Sequence, residues 1–157
     1  ERERPGYTPR PGLYALDLDS GELLWQQAVQ RGCDIADENR PLIGLESMRS
    51  GKQPELAELY RCSFYYGLSA AATATEELAF SAGLDGKIRA FDITNGAILW
   101  QAETARPIST SNGFEGHGGA IDVSGQVLAA GWLYVQSGYS MFGQLPGNVL
   151  LAYKIAD

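Results

Sequence analysis

Hydrophobic and polar residues alternate most cleanly between Ile88 and Ile93, the two-residue period of a β-strand with one face buried. Thr94-Asn95-Gly96 follows, with glycine where a tight turn most easily takes positive φ, and Ala97 to Trp100 reads as the returning strand. The pattern predicts a β-hairpin, and the same pattern recurs. Residues 12–25, Gly-Leu-Tyr-Ala-Leu-Asp-Leu-Asp-Ser-Gly-Glu-Leu-Leu-Trp, superimpose without a gap on residues 87–100, Lys-Ile-Arg-Ala-Phe-Asp-Ile-Thr-Asn-Gly-Ala-Ile-Leu-Trp. Ala15, Asp17, Gly21, Leu24 and Trp25 fall on Ala90, Asp92, Gly96, Leu99 and Trp100. A truncated third copy, Asn148 to Ile155, aligns Ala152 with Ala90 and Ile155 with Ile93.

Two roles follow for the repeated residues. Asp17 and Asp92, just before their turns, are placed to accept turn amides as Asx-turns do. Trp25 and Trp100 are expected to fill the gap between neighbouring sheets, a structural role preferred to stacking on a cofactor. Strands at Leu78 to Gly83 and Trp132 to Ser137 feed the second and third copies, the former through the turn Leu84-Asp85-Gly86. The small-residue runs Gly67 to Thr75 and Gly118 to Val123 suit crowded inner strands near an axis. The predicted fold is all-β: antiparallel, four-stranded β-propeller blades, amounting to the outer half of one blade, one complete blade and most of another. Residues 1–11 form an N-terminal arm or linker, and residues 12–157 a partial propeller with an insertion at 30–62. The repeats lie 75 residues apart from Asp17 to Asp92 and 62 apart from Ala90 to Ala152, more than the roughly 40 to 50 of common blades. Insertions at 30–62 and at Ala102 to Gly116 account for the excess, and such insertions usually project from one functional face.

Composition agrees with this picture. Nineteen Gly, 7 Pro, 8 Tyr, 5 Phe and 3 Trp suit a turn-rich β chain, and 45% hydrophobic residues suit a globular one. A net charge of −7 argues against nucleic acid. No apolar run approaches the roughly 18 to 20 residues of a membrane helix. The chain opens Glu-Arg-Glu-Arg-Pro-Gly, which is no signal peptide, so the first residue is not expected to start the gene product. Cys33 and Cys62 flank a polar segment without strand alternation. A disulfide there would close a loop of about 30 residues and require an oxidising compartment; two unrelated buried thiols are the alternative. A single His117 and two distant cysteines lack the spacing of a structural zinc site.

The unit Ala-x-Asp-x-x-x-Gly-x-x-x-Trp resembles the repeat of pyrroloquinoline-quinone (PQQ) binding propellers, a repeat also carried by the non-catalytic outer-membrane assembly lipoprotein. Ser81-Ala-Gly-Leu-Asp-Gly, Asn112-Gly113, Gly118-Gly119-Ala-Ile-Asp122, Tyr134-Val-Gln-Ser-Gly-Tyr139 and Pro146-Gly-Asn-Val-Leu-Leu-Ala-Tyr153 together resemble the C-terminal part of polyvinyl-alcohol-dehydrogenase-like quinoproteins. The resemblance implies a periplasmic or secreted enzyme that oxidises alcohols with PQQ and Ca2+ and passes electrons to a c-type cytochrome. It also implies a ring of about eight blades. This chain holds too few strands to close one, so the remaining blades are expected from the same longer chain, another chain or further copies. It carries no Cys-x-x-Cys-His motif.

Propellers bind cofactors near the axis, which singles out Asn112 to Asp122, an insertion with four glycines and the polar residues Asn112, Glu115, His117 and Asp122. Asn112, Gly118, Gly119 and Asp122, with Asp85 and Lys87 from the preceding turn, are the candidate cofactor-binding residues. The plainer alternatives are a strand-end carboxylate for Asp122, an exposed loop for His117 and a solvated turn for Asp85 and Lys87. No residue matches the family's catalytic base or its metal ligands. No Ser-His-Asp arrangement or phosphate loop is visible.

Overall fold

A computed structural model describes residues 11–29, 67–122, 124–139 and 144–155. Arm residues 1–10, the insertion at 30–62 and both cysteines fall outside the described residues. Among the described residues there is no helix, and the strands form antiparallel sheets.

The first hairpin pairs β1 (Gly12–Leu16) with β2 (Leu23–Ala28). The second sheet is a complete blade in the order β3 (Thr73–Ala74), β4 (Leu78–Ala82), β5 (Lys87–Asp92) and β6 (Ile98–Glu103). A short hairpin of β7 (Pro107–Ser109) and β8 (Glu115–His117) follows. The last sheet is three-stranded, with β9 (Val127–Ala129), β10 (Trp132–Ser137) and β11 (Val149–Lys154) in sequence order. Half a blade, a whole blade and most of a third are therefore present, as the repeat predicts.

One assignment of the sequence reading is corrected. Gly118 to Asp122 is not the inner strand of the third blade; that place is taken by β9, which turns directly into β10 through Ala130 and Gly131, both at positive φ. The small residues at 118–122 serve a different purpose, close backbone packing. In the second blade the inner strand is only Thr73–Ala74, a fraction of the small-residue run.

The repeated residues carry the joints between sheets. Ala15 stands opposite Trp25 in the first ladder and Ala90 opposite Trp100 in the second, each followed at once by a register shift. Asp17 Oδ1 accepts the amides of Asp19 and Ser20, and Asp92 Oδ1 accepts that of Thr94. These donors, led by the Ser20 amide at Asp17 and the Thr94 hydroxyl at Asp92, hold both carboxyls below the ordinary aspartate value. Trp25 reaches into the second blade, where its Nε1 donates to the Ile93 carbonyl at 2.8 Å. Its ring lies against Gly96, where a Cβ would stand 2.4 Å from the indole; φ there is +75°. Glycine therefore meets two demands at once, a turn conformation and a flat seat for the neighbouring ring. Trp100 makes the next joint, edge-on to Tyr153 of β11 with ring centroids 5.1 Å apart.

Between the second and third sheets lies the main core, built on Phe80, Ala82, Ile88, Ala90, Leu133 and Val135. Every second residue of β4 and β5 faces it, while Ala79, Ser81, Arg89 and Phe91 on the opposite face are buried too, so these two strands are covered on both sides.

Candidate functional site

Antiparallel strands send successive connections to opposite ends of a blade. Residues 17–22, 75–77, 93–97 and 130–131 make tight turns at one end. At the other end lie the turn 83–86, the long passage from β6 to β9 that includes the β7–β8 hairpin, and the connection from β10 to β11. The candidate residues belong to this second end.

There the backbones lock together. Ile121 N–H donates to Gly83 O at 3.0 Å, Thr104 N–H to Gly86 O at 2.8 Å and Gly118 N–H to Arg106 O at 3.1 Å. Ala120 N–H donates to Leu145 O, Gly138 N–H to Ala120 O, and Asn148 N–H to His117 O, each at 2.8 Å. The Asn148 side chain returns the contact, accepting His117 N–H at 3.0 Å. At Gly118 and Gly119 this density leaves no room for a side chain. A Cβ on Gly118 would lie 1.9 Å from Thr104 O, and one on Gly119 2.2 Å from Leu145 O.

A hydroxyl pair sits within the junction. Thr104 and Ser137 are fully buried, with Oγ1 and Oγ 2.7 Å apart. Thr104 Oγ1 is 2.7 Å from Gly86 O, while Ser137 Oγ is 3.0 Å from Gly119 O and accepts Gly119 N–H at 2.9 Å. Two hydroxyl protons thus face three contacts. Gly86 O lies within reach of both the Thr104 amide and the Thr104 hydroxyl, Gly119 O within reach of the Ser137 hydroxyl, and between the two hydroxyls either can donate.

The structure brings five of the six candidate residues into one neighbourhood. The turn bearing Asp85 and Lys87 lies against the segment of Gly118, Gly119 and Asp122, joined by the Ile121–Gly83 bond and by the close approach of Gly86 to Gly119. Asn112 lies apart, at the far tip of the β7–β8 hairpin, where its Oδ1 accepts Phe114 N–H at 3.2 Å and the Thr110 hydroxyl. The acidic members already have partners. Asp85 forms an ion pair with Arg89, both side chains mostly buried, and Oδ1 also accepts Lys87 N–H at 3.1 Å. Asp122 Oδ2 accepts Gln144 Nε2 at 2.7 Å. The His117 side chain is exposed, as expected, but it stands at the end of strand β8 and not in a loop.

Sequence reading missed Arg89, Thr104, Gln144 and Gln126. A charge in the middle of the apolar strand β5, four residues after an aspartate across a turn, is the one signal that pointed to the Asp85–Arg89 pair. Gln126 gave none: its buried Nε2 donates to Ala71 O at 3.1 Å and to Phe80 O, tying the third blade to the second near the inner strands. On the same end, a cleft of about 340 Å3 opens between Pro11, Gly12 and Tyr14 on one side and Gly67, Leu68 and Leu84 on the other. Among the described residues no three His, Cys, Asp or Glu side chains gather as a metal site. Nor do the described residues by themselves compose a cradle for an anionic quinone: the glycine spaces are filled by backbone and Arg89 is committed to Asp85.

Repeated hairpins joined by tryptophans, with the long connections gathered at one end, define a propeller of the PQQ-like repeat type. The PQQ_2 family model, described as outer membrane protein assembly factor BamB, matches residues 7–111, and the chain belongs to that family. The crystal structure of BamB from Moraxella catarrhalis has the same fold over 94% of this chain and 33% of its own, with a TM-score of 0.51 at 18% identity. Two curated relatives are both named polyvinylalcohol dehydrogenase. The one from Pseudomonas sp is 30% identical over 91% of this chain, and the one from Sphingopyxis sp. (strain 113P3) is 26% identical over 93%. The chain spans 29% and 20% of their lengths, less than a third of either.

Proposed function

We propose that this chain supplies blades to an extracytoplasmic, PQQ-dependent alcohol dehydrogenase of the polyvinyl-alcohol-dehydrogenase type. The observation that carries the reading is similarity to two proteins of that name over more than nine-tenths of the chain. Under this reading the turn of Asp85 and Lys87 and the segment Gly118, Gly119 and Asp122 form one wall of a PQQ and Ca2+ site completed by other blades, with Asn112 at its rim. The bound quinone would accept the electrons of the alcohol, and a c-type cytochrome would take them onward. What this chain contributes is rigidity: the backbones of 83–86, 104–106 and 117–121 are bonded to one another and to the buried Thr104–Ser137 hydroxyl pair, which holds that wall in place.

The second reading is a non-catalytic scaffold. It is favoured by the BamB-described family model and by the commitment of Asp85 to Arg89 and of Asp122 to Gln144. Melting the assembled propeller, this chain together with the blades that complete it, in the presence of PQQ and Ca2+ separates the two. A ligand at about a hundred times its dissociation constant stabilises by about 2.7 kcal/mol, so the enzyme reading expects Tm to rise by about 5 °C or more, together with a shifted quinone absorbance. Absence of both responses would transfer the assignment to the scaffold.

A further inference from the structure

We infer that Asn112 is a site of spontaneous covalent modification, where the Gly113 nitrogen closes a succinimide on the Asn112 side chain and water opens it to aspartate or isoaspartate. The chain contains two Asn-Gly pairs, Asn95-Gly96 and Asn112-Gly113, and in both the glycine leaves the attacking nitrogen unshielded by a side chain. By sequence alone the two pairs are equivalent. In the fold each asparagine closes the same kind of local ring, Asn95 Oδ1 accepting Ala97 N–H at 2.8 Å and Asn112 Oδ1 accepting Phe114 N–H at 3.2 Å. The glycines are what differ.

Gly96 is buried, its N–H donates to Asp92 O at 2.8 Å, and the Trp25 ring stands 2.4 Å from where its Cβ would be. Its peptide cannot turn toward Asn95 Cγ without opening the hairpin turn and lifting the indole that joins two blades. Gly113 is exposed, its N–H reaches Thr110 O at 3.3 Å, and nothing lies within 4 Å of its Cβ position. No packing opposes the rotation there. The asparagine side favours the same site: attack places negative charge on Asn112 Oδ1, which already accepts the Phe114 amide and lies 2.5 Å from the Thr110 hydroxyl, as the donors of an oxyanion site lie. In the reaction the Gly113 nitrogen gives its proton to solvent and bonds to Asn112 Cγ, the Cγ–Nδ2 bond breaks, and the departing nitrogen takes up a proton and leaves as ammonia. Water then opens the ring. Opening at Cγ gives aspartate, whose carboxylate can still accept Phe114 N–H. Opening at the main-chain carbonyl gives isoaspartate, which adds a backbone carbon at the tip, beyond the last ladder pair of Ser109 and Glu115. The inference rests on this hairpin and not on the cofactor reading.

The test is to hold the assembled propeller in mildly alkaline buffer, with tryptophan fluorescence reporting the fold, and to follow both sites by peptide mass spectrometry and by enzymatic methylation of isoaspartate. Asn112 is expected to gain about 1 Da, and to become open to methylation, at least about tenfold faster than Asn95 while the protein is folded. In urea, where neither turn persists, the two rates should agree within about twofold. An Asn112 that stays unmodified over the time both sites react in urea would overturn the inference. So would equal rates in the folded protein, or a preference for Asn112 that persists undiminished in urea, which would trace it to flanking residues and not to the fold.

Discussion

At the end of the blades where the short turns lie, Gly21 and Gly96 are needed for their backbone angle, φ +73° and +75°. At the opposite end Gly118 and Gly119 need no unusual angle but leave no space: the nearest carbonyl oxygens stand within 2.2 Å of where a Cβ would be. The first end is a set of locally closed turns, of which 17–22 and 93–97 are each satisfied by their own aspartate and 75–77 by Thr75. The second is one continuous lattice of backbone contacts drawn from five segments. Errors at the first should stay local, while errors at the second should spread to both adjoining sheets.

The largest effect is expected where that contrast is sharpest. Gly118→Ala should cost about 3 kcal/mol or more, since the obstacle is backbone and cannot swing aside, whereas Gly21→Ala, with open space but positive φ, should cost about 1 kcal/mol. Comparable losses in urea melts would erase the distinction between the two ends. The joints come next. Trp25→Ala removes a ring seated on Gly96 together with its hydrogen bond to Ile93 and should cost about 3 kcal/mol; Trp100→Ala, at a more exposed joint, should cost about 1 kcal/mol less. A reversed order would mean that the second joint is the tighter one.

The smallest effect concerns pH. The Asp92 carboxyl is depressed in the folded chain by the Thr94 hydroxyl and amide, so the charged form is favoured by folding. That contribution is present above pH 3.8, the ordinary value, and is lost as pH falls through the lower folded value. Asp92→Asn should therefore flatten the pH dependence of stability below about 4 without changing its slope near neutrality. An unaltered acid limb would show that the turn donors do not discriminate the charged form.

Much of the fold was legible because the turns of the repeat use local chemistry. Aspartate before a turn and glycine within it act over a few residues, the tryptophan is marked by its fixed place after them although Trp25 makes its contacts in the next blade, and β10 matches the expected Trp132 to Ser137 residue for residue. The inner strands were not legible. Glycine and alanine at 118–122 satisfy a crowded strand and a crowded loop equally well, and only the tertiary contacts of Thr104 and Leu145 decide between them. The site was half legible for the same reason. Proximity of the 83–86 turn to Gly118–Asp122 follows from the blade's connectivity, but the partners of Asp85 and Asp122, Arg89 and Gln144, follow from side-chain packing that no spacing rule encodes.

The tryptophan clamp has a consequence for how such a molecule can diversify. Trp25 grips Ile93 and Gly96 irrespective of the forty-odd residues that separate its strand from the next inner strand. Adjacent modules are thus held in place by a fastener on one rim that does not depend on how many residues lead from β2 to β3. Insertions, deletions and new chemistry can accumulate in those stretches without disturbing the spacing of the wheel, so that one body plan can carry unrelated trades.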